Sequence, residues 1–243
     1  MTFIESVRLF HVIAGFTGLA VFWIPVFTRK GGINHVRFGK MFKWCAYVVL
    51  ALAAVSVGYH LIDYWWQGLR PWSEPNAFGF LIFLGYLALV TFISVHHAIG
   101  VLVTKKNPDS LRTPLRVALA YLSMLATVIV VAFALLFNPD SKIILLALSP
   151  LGILGGIGTL RYLNGKRISR HAWLYEHLGG MLGAGIAFHT AFAVFGFNQM
   201  FDFSLPGNLR ILPWILPAAI GIPAISLWTR SYKKKFGDTG ATA

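Results

Sequence analysis

Two histidines stand twelve residues apart in one apolar, glycine-rich stretch of the chain, residues 173–197. On an α-helix, His177 and His189 would lie about 18 Å apart along the axis, near opposite faces of a hydrocarbon layer about 30 Å thick. Imidazole nitrogens bind haem iron, zinc and non-haem iron, so such a helix has ligands for both halves of a membrane. Helix packing through Gly179 and Gly183 explains the same glycines without any cofactor.

Four more histidines lie in other apolar stretches, at depths that the sequence predicts to match those of His177 and His189. The set expected near the outer surface, here called the outer layer, comprises His11, His60 and His189. The inner layer, expected near the cytoplasmic surface, comprises His96, His97 and His177. Ionisable side chains inside a membrane are rare and costly, and they usually mark a functional site. The agreement in depth is therefore the pattern that a function must explain.

The first hypothesis is that each layer holds one haem b between two imidazoles, so that electrons cross the membrane from haem to haem. The inner haem would be bound by His177 with His96 or His97, and the outer haem by His189 with His11 or His60. The rise of about 18 Å suits two stacked haems. A spacing of twelve residues, however, points the two imidazoles in directions about 120° apart around the helix axis. A quinone or another membrane-complex subunit is the expected electron partner.

The second hypothesis is a non-haem metal site in the outer layer, with zinc or iron held by His11, His60, Asp63 and His189. Asp63 would be a ligand, or it would orient the imidazole of His60. Such a site predicts a metal-dependent hydrolase or oxidase that acts on lipid. A third hypothesis is a non-catalytic accessory subunit of a larger membrane complex. The sequence alone assigns no catalytic residue.

Cysteine chemistry is nearly excluded, because Cys45 is the only cysteine. The chain cannot form an internal disulfide, a cysteine-ligated zinc site, an iron–sulfur cluster or a C-x-x-C-H haem attachment. Any metal has to be held by His, Met, Asp, Glu or Tyr.

The composition places these histidines in an all-α, polytopic membrane protein. Of the 243 residues, 57% are apolar and 12% are charged, which is far from the composition of soluble globular proteins. Seven stretches are long and apolar enough to span a bilayer as helices. They are residues 5–28, 42–66, 78–103, 115–137, 143–162, 172–197 and 211–230. The sequence therefore predicts a single integral-membrane domain, residues 1–243, folded as a seven-helix bundle.

The net charge of +13 is distributed by side of the membrane, which indicates topology and not a nucleic-acid interface. Of the 21 lysines and arginines, 17 follow the first, third and fifth spans or lie in the C-terminal tail. The other four are Arg8, Arg70, Lys142 and Arg210. By the positive-inside rule, the N-terminus is predicted outside and the C-terminus in the cytoplasm. The basic loops are expected to contact anionic lipid headgroups.

The loop between the first two spans carries a motif, Arg29-Lys30-Gly31-Gly32-Ile33-Asn34-His35-Val36-Arg37-Phe38-Gly39-Lys40. Residues 11–47 resemble a family of uncharacterised bacterial multi-pass membrane proteins, filed as a domain of unknown function. In that family a His-bearing first span leads into an Arg-Lys-Gly-Gly-x-x-His-x-Arg loop and an aromatic-rich second span. The stretch from Glu176 to Phe192 is similar to the same family, whereas Val36 stands where Arg is frequent. The resemblance implies this fold and a bacterial inner (cytoplasmic) membrane location, and it implies no activity.

Overall fold

The computed structural model describes residues 1–167, 169–196, 209 and 211–238, and this part of the chain is helical without any strand. Its α-helices are α1 (Phe3–Phe27), α2 (Ile33–Trp66), α3 (Pro75–Val103), α4 (Pro114–Phe137), α5 (Lys142–Leu148), α6 (Pro150–Leu163), α7 (Ala172–Ala191) and α8 (Leu212–Phe236). A 3-10 turn covers Pro108–Leu111, and a π-helical turn, Phe192–Gly196, extends α7. Seven helical segments are long and apolar enough to cross a membrane, with α5 and α6 forming one of them.

Two helices are at least five residues longer than the sequence predicts. The second begins at Ile33 and not at residue 42, so that His35 and Arg37 lie on the helix and not in a loop. At 34 residues it is about 51 Å long, which exceeds the hydrocarbon thickness of about 30 Å. The last helix continues to Phe236, so that Lys233, Lys234 and Lys235, which follow its apolar part, belong to the helix. Phe197, the predicted end of the sixth span, and Arg210 lie outside the described residues.

The chain divides into two compact units. Unit 1 comprises residues 1–93 and 112–161, and unit 2 comprises residues 94–111 and 162–243, of which residues 168, 197–208, 210 and 239–243 lie outside the described part. Two boundaries fall within α3 and within α6, and the third falls between Leu111 and Arg112. The single domain expected from the sequence stays a prediction.

In unit 1, the glycine-rich motif joins α1 to α2 through side chains that fold back onto the end of α1. The Lys30 ammonium donates hydrogen bonds to the carbonyl oxygens of Pro25 (2.8 Å) and Val26 (2.6 Å). The Nδ1–H of His35 donates to the same Pro25 oxygen at 3.0 Å. These carbonyls belong to the last turn of α1, where no helical N–H is left to bind them. Partial burial at this helix end lowers the pKa of Lys30.

Gly31 completes this connection with φ +77°, a left-handed conformation that favours glycine. We call Lys30, Gly31 and His35 the hairpin clamp. The role of this motif at a helix terminus follows from the folded positions of Lys30 and His35.

The fifth span is interrupted between Leu148 and Pro150, and a tyrosine from α3 bridges the interruption. The Tyr86 hydroxyl donates to the carbonyl of Ser149 at 2.6 Å and accepts the N–H of Gly152 at 2.8 Å. Thr127 of α4 donates to the same Ser149 carbonyl at 3.1 Å. A proline has no N–H to donate to the carbonyl of the preceding turn. Some backbone groups at such a break therefore lack a partner within the helix and must bind other groups. Unit 1 supplies these partners from α3 and α4.

In unit 2, the end of α8 is fastened to the start of α7 through one carboxylate. Asp238 Oδ2 accepts hydrogen bonds from Tyr175 (2.6 Å), Ser169 (2.7 Å) and His171 Nδ1 (3.1 Å). The hydrogen bond from Tyr175, followed by that from Ser169, lowers the pKa of Asp238. The sequence did not predict this network, because Asp238 is more than 60 residues from its three donors. Helix α8 continues through Pro217 and Pro223.

Candidate functional site

Helix α7 carries both central histidines, and each binds a backbone carbonyl through Nδ1. His177 Nδ1 lies 3.0 Å from the Ala98 carbonyl oxygen of α3, and His189 Nδ1 lies 2.7 Å from the Gly185 oxygen in its own helix. A carbonyl oxygen only accepts hydrogen bonds, so each Nδ1 is the protonated nitrogen. In the neutral imidazole, Nε2 then keeps the lone pair. This is the tautomer in which a metal-ligating histidine is usually held.

His11 has the same arrangement in unit 1. Its Nδ1 lies 3.1 Å from the Val49 carbonyl oxygen of α2, so this ring also presents Nε2 as the nitrogen with the lone pair. Three of the six layer histidines, His11, His177 and His189, are therefore oriented as nitrogen ligands.

His11 and His60 do not share a depth in unit 1, although the sequence places both in the outer layer. His11 is level with Val49, which precedes His60 by eleven residues, or about 16 Å along α2. The ring of Tyr59, next to His60, instead contacts Phe3 at the start of α1, with centroids 6.2 Å apart. In unit 1, α2 continues past the start of α1, so His60 lies beyond the level of His11 along α2. The outer layer as a set stays a prediction.

The carboxylate of Asp63 is engaged by its own helix. Its Oδ2 accepts a hydrogen bond from Gln67 Nε2 at 2.8 Å, whereas the His60 ring contacts the rings of Tyr59 and Tyr64. Among the described residues, no three His, Cys, Asp or Glu side chains form a group that could hold a metal ion. The zinc or iron site of His11, His60, Asp63 and His189 stays a prediction.

The inner layer comes together in unit 2 at the end of α3 and the start of α7. Of the two adjacent histidines, His97 is the buried one, at 6% exposure. Its Nε2 lies 3.3 Å from Oε2 of Glu176, the residue that precedes His177. Its ring meets the Tyr162 ring edge-on at 5.4 Å between centroids. The sequence predicts that His97 and His177 lie at a similar depth in the membrane. It does not predict that Glu176 and Tyr162 lie next to His97.

Several buried polar atoms around His97 have no hydrogen-bond partner among the described residues. They are both ring nitrogens of His97, the Tyr162 hydroxyl and Nε of Arg167. The Arg167 guanidinium lies over the Tyr162 ring at 5.1 Å and binds Asp109 at 2.8 Å. The contact between His97 and Glu176 is close in distance but does not have hydrogen-bond geometry. We call His97, Glu176, Tyr162 and Arg167 the inner cluster.

The end of α3 and the start of α7 are in close contact beside this cluster. A Cβ atom added to Gly180 would lie 2.6 Å from the Ala98 Cβ and 3.0 Å from the Ser94 carbonyl oxygen. Gly179 and Gly183, the glycines expected to pack, have no atom within 4 Å of such a Cβ. Gly180 is therefore a packing glycine of α7, a position that sequence spacing alone did not distinguish from Gly179 and Gly183.

This contact bears on the predicted pairing of imidazoles around an inner haem. At Gly180, helix α7 lies close to Ala98 and Ser94 of α3. His96 lies about 160° around α3 from Ala98, away from α7, and His97 has Glu176 beside its Nε2. The expected ligation of one haem by His177 with either His96 or His97 stays a prediction. His177 is the inner-layer imidazole whose orientation suits a metal.

Comparisons of the chain with protein-family profiles, with curated proteins and with solved structures gave no match. The resemblance of residues 11–47 to an uncharacterised bacterial membrane family stays a prediction, and the site has to be judged on its geometry.

Proposed function

We propose that this chain is a membrane redox protein that binds haem b in each half of the bilayer through the two histidines of α7. His177 would be the axial ligand on the inner side and His189 the axial ligand on the outer side. Bound haem b would supply reversible one-electron chemistry at each level, and so electron transfer across the membrane. A quinone or another membrane subunit would exchange electrons with it.

One observation carries this proposal: both α7 histidines donate Nδ1–H to a carbonyl and keep the Nε2 lone pair. The carbonyls of Ala98 and Gly185 fix the tautomer and the ring orientation, and such bonds also make the imidazole a stronger ligand. A haem needs only one or two imidazoles, so it does not require the three-residue group that the non-haem alternative requires. His11 shares the orientation and remains the predicted outer-layer residue of α1.

The proposal includes an orientation in the membrane. The N-terminus would be outside and the C-terminus in the cytoplasm of a bacterial inner membrane. This arrangement leaves 17 of the 21 basic residues on the cytoplasmic side, in accordance with the positive-inside rule.

The test is the absorption spectrum of protein purified after haem-replete expression. We expect a Soret band and a reducible α-band in the wild type. His177→Gln and His189→Gln should each lose about half of the bound haem, because glutamine can donate to the same carbonyl but cannot ligate the iron as imidazole does. His35→Gln is the matched control, since His35 also donates Nδ1–H to a carbonyl but belongs to the hairpin clamp.

A colourless wild type excludes the proposal, and so does full haem retention in both α7 variants. Size-exclusion elution of every variant separates loss of ligand from loss of fold. If His35→Gln loses as much haem as the α7 variants at equal folding, the assignment to α7 is wrong.

A further inference from the structure

We propose that one face of α2 binds an anionic phospholipid at the end of unit 1 that carries the hairpin clamp. Arg37 and Lys40 hold the phosphate, and the acyl chain lies along the aliphatic continuation of the same face. The site includes no histidine, so it does not depend on the proposed haem.

Two exposed tryptophans indicate which part of α2 lies in the hydrocarbon layer. Trp44 and Trp65 are 21 residues apart on the helix. This separation corresponds to about 31 Å along the axis and matches the hydrocarbon thickness of about 30 Å. Tryptophan is enriched at the two membrane–water interfaces. The start of α2, residues 33–43, therefore extends about 16 Å beyond the hydrocarbon, through the level of the lipid headgroups.

The exposed face of α2 has the order of groups that a phospholipid has. Arg37, Lys40, Trp44 and Val48 follow one another at intervals of three and four residues, so they lie on one side of the helix. All four are exposed, Trp44 to 61%, and the buried residues of α2 lie on the other side. Val55 continues the exposed face toward the far end of the helix. The sequence of basic, aromatic and aliphatic side chains thus matches phosphate, glycerol and acyl chain.

The charge at this end of unit 1 is complementary to an anion. Five basic residues lie in the stretch 29–43, and the chain has no Asp or Glu between Glu5 and Asp63. In the part of the chain that the structure describes, no carboxylate pairs with Arg37 or Lys40. Cations three residues apart on a helix repel each other, and a phosphate between them removes this repulsion.

The neighbouring lysines have other partners, which leaves the phosphate to Arg37 and Lys40. The Lys30 ammonium is bound to the carbonyls at the end of α1. The Lys43 ammonium lies 4.2 Å from the centroid of the Trp44 ring, a cation–π contact at the border of the hydrocarbon.

The apolar part of the face favours a lipid over a soluble acidic partner. A soluble partner would meet only the basic residues, since Trp44 and Val48 lie at and below the membrane interface. A phospholipid covers the basic, aromatic and aliphatic parts together, and each basic residue near a membrane surface strengthens the binding of anionic lipid.

The experiment is native mass spectrometry of the full-length protein in detergent, titrated with phosphatidylglycerol and, for comparison, with zwitterionic phosphatidylcholine. We expect one phosphatidylglycerol to bind more tightly than phosphatidylcholine. Arg37→Gln and Lys40→Gln should each weaken its binding about fivefold, because each removes one cation from the phosphate site. Binding of phosphatidylcholine should change less in both variants.

Arg112→Gln is the matched control, since Arg112 is another exposed arginine of unit 1 and its loss changes the net charge equally. It should leave the affinity for phosphatidylglycerol unchanged. An equal loss of affinity in Arg112→Gln overturns the proposal, because the attraction is then diffuse, and so does unchanged affinity in both α2 variants. Circular dichroism checks that each variant keeps its helices.

The wild type provides a test that needs no variant. Equal affinity for the two lipids contradicts the phosphate site. A protein that retains neither lipid also contradicts it, and the basic face of α2 would then belong to a soluble acidic partner.

Discussion

At the scale of single residues, Tyr86 shows how one hydroxyl can support an interrupted membrane helix. The side chain is 3% exposed, and its oxygen both donates to Ser149 and accepts from Gly152. In a bilayer no water is available to replace these partners, so the break between α5 and α6 depends on them.

Tyr86→Phe should therefore destabilise unit 1 by about 1 kcal/mol, since it leaves the Gly152 N–H unpaired while it preserves the ring. Tyr121→Phe is the control, because Tyr121 is 59% exposed. Thermal unfolding in one detergent, followed by helicity, compares the two. Equal melting temperatures for both variants would show that the hydroxyl of Tyr86 contributes nothing.

The same scale shows where sequence reasoning about the site ends. The spacing of His177 and His189 on α7 follows from the sequence, because it depends on one helix alone. The sequence does not show which of His96 and His97 is buried. Adjacent residues differ by only about 100° around the helix, and the contact of Gly180 with α3 determines which side of α3 faces α7. Glu176 and Tyr162 were overlooked for a related reason: their importance arises only when α6 and α7 are brought to His97.

At the scale of helices, close approach depends on individual glycines and not on the glycine content of a stretch. Gly180 lies against α3, whereas its neighbour Gly179 has open space where a side chain would be. The two positions form a matched pair within one turn of α7.

Gly180→Ala should destabilise unit 2 by about 1–3 kcal/mol, because the added methyl group overlaps Ala98 and the Ser94 carbonyl. Gly179→Ala should be neutral or slightly stabilising, since alanine favours the helix and meets no atom. Denaturant titration of the two variants measures the difference. A Gly179→Ala variant that is as unstable as Gly180→Ala would disprove this packing.

The helix ends also show a limit of hydropathy. Apolar content locates the seven segments, but it marks their ends at the last apolar residue. A helix can continue beyond that residue as long as its backbone groups find hydrogen-bond partners. This is why α2 starts nine residues before its apolar stretch, at a connection held by the hairpin clamp. Because α2 starts earlier than its apolar stretch, His11 lies beside Val49 of α2 and not beside His60.

At the scale of the whole molecule, the asymmetric distribution of basic residues predicts how the chain inserts. A reporter that is active only in the periplasm, fused after the last residue of the chain, should be inactive, and a cytoplasmic reporter at the same place should be active. The reciprocal pair fused in the loop between α2 and α3 should give the opposite result. Periplasmic activity at the C-terminus would contradict the proposed orientation and would exchange the inner and outer labels of the layers.

The hairpin clamp has a consequence for how relatives of this chain would be recognised. Its residues are required by geometry: a glycine for a left-handed turn, and a lysine and a histidine that reach the last carbonyls of α1. A search pattern built on this loop would therefore collect chains that make the same helical hairpin, whatever reaction they carry out. A pattern built on His177 and His189 of α7 would instead collect chains that share the proposed haem ligands, and the two collections need not coincide.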